Sequence, residues 1–483
     1  MFARFFRWLF SWKTLRRALL SLVGLFTLIA LLVTEENWRG KRAWENFKRE
    51  WEAKGERFDL AAFMPKPVPD DQNFVMTPFF APVREKERRM ASGDWRDTNV
   101  LQSTLDIYGS VSNKRAPLFG NLKTGKLTDL LEWQKFYLGN TNFPSIPQPQ
   151  TTAKDVLFAL EKFGPVLKQL REVSHRPYAQ FPLYQDKDPM LPLIHLSNLK
   201  SVASVLRLRA TAFLADDQSE ESLQDVKVIL RLADSLKPEP FLISHLARLS
   251  VLEISVNPVW EGLARHQWSA PELLDLQRLL GSIELLADYE HIIRGERAGS
   301  NNILAWLRSG RRIPSGLLYQ NQIRIDRFYQ LRALPLVDAG LHRLYPGQCN
   351  QLTNLPEFRK KTLYNFLAPL LLPSIGGAVK TAHEQAVLDQ AAVACALERY
   401  RLALGQYPET LDALIPQFIE KLPTDVVGGQ PLRYRHTDDG QFVLYSVGWN
   451  EKDDGGVIAY DQGKTLILND NRGDWVWRYP TNR

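Results

Sequence analysis

The residues that decide the fold are HLSNLKSV at positions 195–202, because HLARLSVL at positions 245–252 repeats their pattern fifty residues later. The same displacement aligns residues 219–230 with residues 269–280. Apolar residues in these stretches recur at three- and four-residue steps, which is typical of amphipathic helices. Two helices that keep one offset across a changing loop predict a duplicated helix pair.

The helical pattern extends from Thr151 to about Leu341, so this region is predicted to form a helical body. If each pair buries its apolar face on the next pair, the body resembles tetratricopeptide-like solenoids. Ser219 and Ser269 each precede an acidic or proline-led turn, and both are predicted helix N-caps. The identities are few, so a chance match stays open as the alternative.

The duplicated histidines, His195 and His245, allow two interpretations. They are either ligands of a bound group or polar side chains at one structural position, with their ring nitrogens hydrogen-bonded to a neighbouring carbonyl. No second histidine or acid at the spacing of a helical metal site accompanies them. The structural interpretation is therefore favoured.

The C-terminal part is predicted to contain a long helix followed by an antiparallel hairpin. An apolar stripe between residues 379 and 404 marks the helix, and Gly405 is expected to end it. Residues 432–436 and 442–446 alternate in polarity around the turn Asp438-Asp439-Gly440, which is a strong hairpin signal. Further strands are predicted at residues 457–460, 465–468 and 475–477.

This order of elements resembles the extracytoplasmic domain of the major pseudopilins of type II secretion systems. The resemblance covers about a hundred residues, and its motifs follow one another in the family's order. The matching segments are ALERYRL at 396–402, GQYP at 405–408, LPTD at 422–425 and YSVG at 445–448, together with Gly428, Pro431 and Tyr434. It implies a small α+β module and a role beside a secretion or pilus-like machine.

The resemblance also implies a calcium loop after the YSVG strand, where this chain has WNEKDDGG at 449–456. Asn450, Asp453 and Asp454 are the candidate ligands, since clustered carboxylates suit a hard cation. The family has aspartate where Asn450 stands, and Lys452 adds a positive charge, so a plain acidic turn stays open. Residues 24–28, GLFTL, only faintly echo the family's cleavage motif, so processing or polymerisation as a pilin is not expected.

Residues 18–33 carry no charge and predict a transmembrane helix over residues 18–34. The run spans roughly 24 Å at 1.5 Å per residue, close to the thickness of a bilayer core. No small-x-small site follows it, which favours an uncleaved signal anchor over a cleaved signal peptide, although the short run keeps cleavage open. The basic residues on the two flanks tie, but the first flank lacks acids. We therefore expect residues 1–17 to be a cytoplasmic tail and the bulk to be extracytoplasmic, on the inner membrane.

The predicted fold class is mainly α, with an N-terminal single transmembrane helix, a solenoid-like body of helical hairpins and a small α+β C-terminal module with antiparallel strands. Trp38, Trp44 and Trp51 predict a juxtamembrane helix, and the prolines that follow predict an extended strap. The predicted regions past the anchor are a juxtamembrane helix and Pro-rich strap at 35–83, a poorly patterned connection at 84–150 with one helix at 127–138, a helical body at 151–375 and a pseudopilin-like module at 376–483.

Composition and charge exclude some classes of function. The 483-residue chain has a formal charge of +7, but residues 61–483 hold 49 basic against 47 acidic residues, which does not predict a nucleic-acid interface. Cys349 and Cys395 are too few and too far apart for a metal site, and either a disulfide or two free thiols is open.

No motif predicts catalysis or a cofactor. GNLKTGK at 120–126 approximates a phosphate-binding loop, but Leu127 replaces the hydroxyl that would bind magnesium. His383-Glu384 begins like a zinc-protease helix, but Val387 replaces the second histidine.

The first functional hypothesis is therefore a membrane-anchored extracytoplasmic binding or scaffold protein, with the bilayer and one or more proteins as partners and no nucleic acid. An accessory component of a type II secretion or pilus-like machine is one alternative. An enzyme acting on envelope polymers through a dispersed site is the other.

Overall fold

The computed structural model describes residues 12–92, 116–144, 148–184, 189, 191–310, 312–352, 362–372, 376–461 and 467–480, and these are mainly helical. The helices are α1 Trp12–Glu52, α2 Ala81–Ala91, α3 Leu130–Leu138, α4 Thr152–Leu160, α5 Gly164–Val173, α6 His195–Ala215, α7 Ser219–Asp234, α8 Leu242–Ala264, α9 Ala270–Gly281, α10 Leu285–Ser309, α11 Ser315–Phe328, α12 Pro346–Leu352, α13 Ala368–Leu371 and α14 Gly376–Leu404. The strands are β1 Val337–Asp338, β2 Arg343–Leu344, β3 Arg433–His436, β4 Phe442–Ser446, β5 Ile458–Asp461, β6 Ile467–Gly473 and β7 Trp475–Trp477.

The chain divides into two compact units. The first contains Met1–Ala62, Arg297–Leu331 and Leu355–Leu372, and the second contains the rest. Helix α10 contributes its beginning to the second unit and its end to the first. We call the first unit the anchor unit and the second unit the main unit.

In the anchor unit, α1 continues without a break from the apolar run into the predicted juxtamembrane helix. Its apolar stretch is exposed, and the helix is long and apolar enough for a membrane span or a signal sequence. Further along, α1 packs against α11, where Phe47, Phe58 and Ile323 form a small core. Gly40 and Gly316 lie at the closest approach, since a Cβ on Gly40 would lie 2.7 Å from the Gly316 carbonyl oxygen.

The core of the main unit is built by α4, α6, α7, α8, α9 and α14. Helix α14 is buried on all sides from Thr381 to Glu398, because it lies against α8, α9 and the strand layer. The small side chains of this segment, with alanine at six positions between 382 and 396, allow neighbouring elements to approach closely.

The described residues show no solenoid. Helices α6 and α7 pack on each other as the predicted pair requires, but α9 packs chiefly along α14. The apolar face that the predicted repeat assigned to a following pair is therefore covered by a helix from the C-terminal region. Ser269 is the predicted N-cap and forms a capping box with Glu272, whereas Ser219 is the first residue of α7 and Gln218 is its N-cap.

The predicted tail hairpin is confirmed. Strands β3 and β4 are antiparallel with Tyr434 opposite Leu444, and β7 joins the other edge of β4 with Trp477 opposite Leu444. Gly440 in the turn has φ +75°, a conformation that favours glycine. The side-chain amide of Gln390 donates to the Trp475 carbonyl at 2.7 Å, which ties the sheet to α14.

Two weaker predictions also have counterparts. The predicted helix at 127–138 begins at Leu130, because the Asp129 carboxylate caps it by accepting from the amides of Leu131 and Glu132. The Pro-rich segment is part of the main unit, where Phe74 and Phe80 are buried, but it forms short 3-10 turns and not the predicted extended strap.

Candidate functional site

A cleft of about 760 Å³ opens in the main unit between the end of α9, the middle of α14 and residues 416–424. Its walls combine apolar side chains with charged ones. They include Leu274, Gln277, Arg278, Glu284, His342, Asp389, Arg399, Phe418, Ile419, Lys421 and Leu422. We call it the α9–α14 cleft. Its size is in the range of ligand-binding pockets, which are about 300–1,000 Å³.

The loop that forms one wall is fixed by both helices. Phe418 is buried, and its ring packs 5.2 Å from the ring of Tyr400 on α14. Its carbonyl oxygen accepts hydrogen bonds from Gln277 on α9 and from Arg399 on α14, each at 2.9 Å. The wall is therefore held in place before any ligand arrives.

His342 lies between two carboxylates at another wall of the cleft. It occupies the turn between β1 and β2 with φ +50°, which is uncommon for a residue with a side chain. Its Nε2 lies 3.0 Å from Oδ2 of Asp389, and its Nδ1 lies 3.3 Å from Oε2 of Glu284. Asp389 also accepts from the Gln385 amide at 3.1 Å.

These contacts favour the protonated imidazole. The hydrogen bond to Asp389 raises the pKa of His342 and outweighs burial, which acts in the opposite direction. Burial raises the pKa of Asp389. This wall of the cleft therefore holds one imidazole between two carboxylates.

Two guanidinium groups add positive charge to the cleft. Arg399 donates to the side-chain oxygen of Gln277 at 2.8 Å, and burial together with the charge of Arg278 lowers the pKa of Arg399. Arg278 is exposed and has no ion-pair or hydrogen-bond partner for its side chain among the described residues. Two like charges in proximity, one of them unpaired, favour an anionic group between them.

The predicted calcium ligands are each hydrogen-bonded within the protein. The Asp453 carboxylate accepts from the Tyr445 hydroxyl at 3.0 Å and lies 3.3 Å from the Arg433 guanidinium, whereas Asp454 accepts from the amide of Asn450 at 2.8 Å. Asp474, which no sequence motif marks, holds the loop by accepting from the backbone amides of Gly456 and Val457.

Within the described residues, no group of three or more histidine, cysteine or acidic side chains is arranged to hold a metal ion. The calcium site stays a prediction, and equilibrium dialysis of the purified protein against calcium tests it.

The duplicated histidines are both buried and bonded to protein side chains, but their partners are carboxylates and a hydroxyl and not the predicted carbonyl. Buried His195 lies 2.7 Å from both Glu87 and Glu239, and the Nε2 of buried His245 lies 2.9 Å from the Thr381 hydroxyl. His195 also packs against the ring of Phe181 at 4.3 Å.

The two discounted motifs have structural roles. In the glycine-rich loop, the Asn121 amide donates to the Lys126 carbonyl at 2.7 Å, and Thr128 donates to buried Glu261 at 2.6 Å. His383 is buried on α14, and burial lowers its pKa to about 3. Cys349 and Cys395 are both buried and free.

The α9–α14 cleft was missed because its polar residues have no motif. Arg278 lies on α9 and His342 in the turn between β1 and β2, whereas Asp389 and Arg399 lie well apart on α14. The only local signal was the stripe on α14, which predicted a buried helix face and said nothing of Asp389.

The chain matches no protein-family model, no curated protein and no solved structure.

Proposed function

We propose that this is a membrane-anchored extracytoplasmic binding protein, and that the α9–α14 cleft binds an acidic segment of a partner protein. The observation that carries the proposal is the unpaired guanidinium of Arg278 beside Arg399 at the edge of this cleft. The binding surface is thus the cleft, and not the concave face of a helical array.

The composition of the cleft supports a peptide with both acidic and apolar side chains. Arg278 and Lys421 have no side-chain partner among the described residues, and both are exposed at the cleft. Leu274, Ile419 and Leu422 give it apolar surface. The nearby acids, Glu284 and Asp389, are neutralised in part by His342, so they oppose an incoming carboxylate less than free acids would.

Anchoring is supported by α1, which has the length and composition of a membrane span. The absence of acids among residues 1–17 supports a cytoplasmic location of the residues before the apolar run.

A fluorescence-anisotropy titration of the full-length protein in detergent tests the proposal. The probe is a labelled peptide with a Glu-Leu-Glu-Leu core, and its matched control has a Gln-Leu-Gln-Leu core. Arg278→Gln is expected to weaken binding of the acidic peptide about tenfold, the effect of losing one charge-assisted hydrogen bond. Arg435→Gln, at an exposed arginine on β3, is the control and is expected to leave the affinity unchanged. Equal binding of the two peptides, or an unchanged affinity in Arg278→Gln, would contradict the proposal.

An envelope-polymer hydrolase is the second candidate, favoured by His342 between Asp389 and Glu284 in the same cleft. This arrangement supplies a base and two acids for proton transfer. Release of soluble fragments from purified envelope polymer, lost in His342→Gln, would favour this candidate over binding.

The role in a type II secretion or pilus-like machine rests on the tail's resemblance to pseudopilins. Strands β3 and β4 after α14 follow the order that the resemblance implied. Normal secretion in a deletion strain would remove this alternative.

A further inference from the structure

The anchor unit provides a scale for distance from the membrane, because α1 runs unbroken from the apolar run into the packed region. At 1.5 Å per residue, Asn37 lies about 6 Å beyond Val33, Arg39 about 9 Å and Phe47 about 21 Å. The polar layer of each leaflet is roughly 5–7 Å thick. Residues level with positions 36–40 of α1 are therefore at the headgroups when the apolar run spans the bilayer.

Helix α11 begins at this level and runs away from the membrane beside α1. Its Gly316 amide donates to the side-chain oxygen of Asn37 at 2.7 Å. Seven residues later, Ile323 packs in the core around Phe47. Residues 312–314, which precede α11, must therefore lie on the membrane side of the anchor unit.

Helix α10 descends toward the same level in the opposite direction. Asn301 accepts from the Gln322 amide at 2.8 Å, and Arg308 donates to the side-chain oxygen of Gln322 at 2.7 Å while its guanidinium lies 4.4 Å from the Tyr319 ring centre. The end of α10, with Trp306, is thus brought close to the start of α11. The segment at 362–372 reaches this level as well, because Arg39 donates to the Tyr364 hydroxyl at 3.1 Å.

Side chains suited to an interface are exposed at this end of the unit. Trp306 is 51% exposed and Leu363 is 69% exposed. Arg312 is exposed and has no side-chain partner among the described residues. Tryptophan is enriched at membrane–water interfaces, and arginine is attracted to anionic headgroups.

We infer that Trp306, Arg312 and Leu363 form a second membrane contact, which seats the anchor unit on the anionic phospholipid headgroups beside α1. This goes beyond the proposed function of the cleft, and it rests on the spanning of the bilayer by α1. A single spanning helix leaves the anchor unit free to tilt relative to the membrane. A second contact away from the axis of α1 would restrict this tilting.

The test uses the full-length protein in vesicles, with a fluorescent label on single introduced cysteines and a quencher on the lipid headgroup. The native Cys349 and Cys395 are fully buried, so they are poor labelling sites. Labels on Leu363→Cys and Arg312→Cys are expected to be quenched several-fold more strongly than a label on Glu50→Cys, which lies about 25 Å beyond Val33.

Leu370→Cys is the matched control for Leu363→Cys. It is an equally apolar, 77% exposed leucine in the same segment. The neighbouring Leu371 carbonyl accepts from the Tyr329 hydroxyl at 2.9 Å, whereas that of Leu363 accepts from the Asn321 amide at 3.1 Å. The Leu371 carbonyl also accepts from the Ser300 hydroxyl at 3.2 Å. Ser300 precedes Trp306 by six residues on α10, which places it about 9 Å further from the membrane. Weaker quenching is expected at position 370 than at 363.

Further labelled variants distinguish failure of the membrane anchor from failure of the second membrane contact. A label on Leu25→Cys, within the apolar run, is expected to be quenched by a deep acyl-chain quencher. If it is not, α1 does not span the bilayer, and the inference falls together with the anchor. If position 25 is quenched but 312 and 363 behave like 50, only the inference is overturned. Vesicles containing phosphatidylglycerol are expected to give stronger quenching at position 312 than purely zwitterionic vesicles, and equal quenching there would overturn the assignment to anionic lipid.

Discussion

At His195, one side chain joins three parts of the main unit. Its ring nitrogens lie 2.7 Å from Glu87 on α2 and from Glu239 before α8. Glu87 also accepts from the His195 backbone amide at 3.1 Å, at the N-terminus of α6. Burial by itself lowers the pKa of this imidazole, but the two carboxylates outweigh burial and raise the pKa to about 10.

Because of this shift, the free energy of unfolding is expected to decrease as the pH rises. Because the pKa is higher in the folded state than the ordinary value near 6.5, the stabilisation is complete below about pH 6.5. It is lost as the pH rises from there toward about 10, the pKa in the folded state. The melting temperature of the wild type in detergent is expected to fall as the pH rises through this window. The fall is expected to be larger than in a variant that lacks the imidazole.

The variant His195→Gln is expected to be less stable than the wild type by about 3–5 kcal/mol near neutral pH, the cost of removing one partner from a buried charged group. It is also expected to lose the extra pH dependence. His175→Gln, at an exposed histidine, is the control. Parallel melting curves against pH for the wild type and His195→Gln would show that the imidazole is not charged in the folded protein.

At the scale of elements, the contact of α1 with α11 depends on two glycines, Gly40 and Gly316. A Cβ added to Gly316 would collide with the backbone of Glu36, and neither backbone can move without separating the helices. A Cβ added to Gly24, on the same helix α1, would have no other atom within 4 Å.

Gly316→Ala is therefore expected to loosen α11 by about 1–3 kcal/mol, the usual cost of overpacking. Gly24→Ala is expected to have no such effect. Hydrogen exchange of the α11 amides, measured by mass spectrometry, distinguishes the two variants. Unchanged protection of residues 315–328 in Gly316→Ala would mean that α1 and α11 are not in close contact.

The packing of α9 against α14 explains why the repeat prediction was wrong in part. The spacing of apolar residues predicted α6 to α9 because helix formation follows local periodicity. It did not predict which helix covers which face. Helix α14 is rich in alanine and buried on all sides, and it covers the face of α9 that a following pair would have covered.

For the whole molecule, the decisive prediction is the side of the membrane on which the bulk lies. A C-terminal alkaline phosphatase fusion is expected to be active, since this enzyme folds only outside the cytoplasm. A fluorescent protein that folds only in the cytoplasm is expected to stay dark at the same position. The reverse pattern would place the α9–α14 cleft in the cytoplasm and overturn the proposed function.

The sequence by itself determined the long N-terminal apolar helix, the helical character of the body and the C-terminal hairpin, because each depends on residues close together in the chain. Only the tertiary structure decided that α14 packs along α9, and that Arg278, His342, Asp389 and Arg399 line one cleft. These side chains come from distant stretches, and their proximity follows from helix packing, which local periodicity does not specify. The sequence does not mark Arg278 as a site residue, because exposed arginines are common on protein surfaces. Only the structure shows that it lines a cleft beside a second guanidinium.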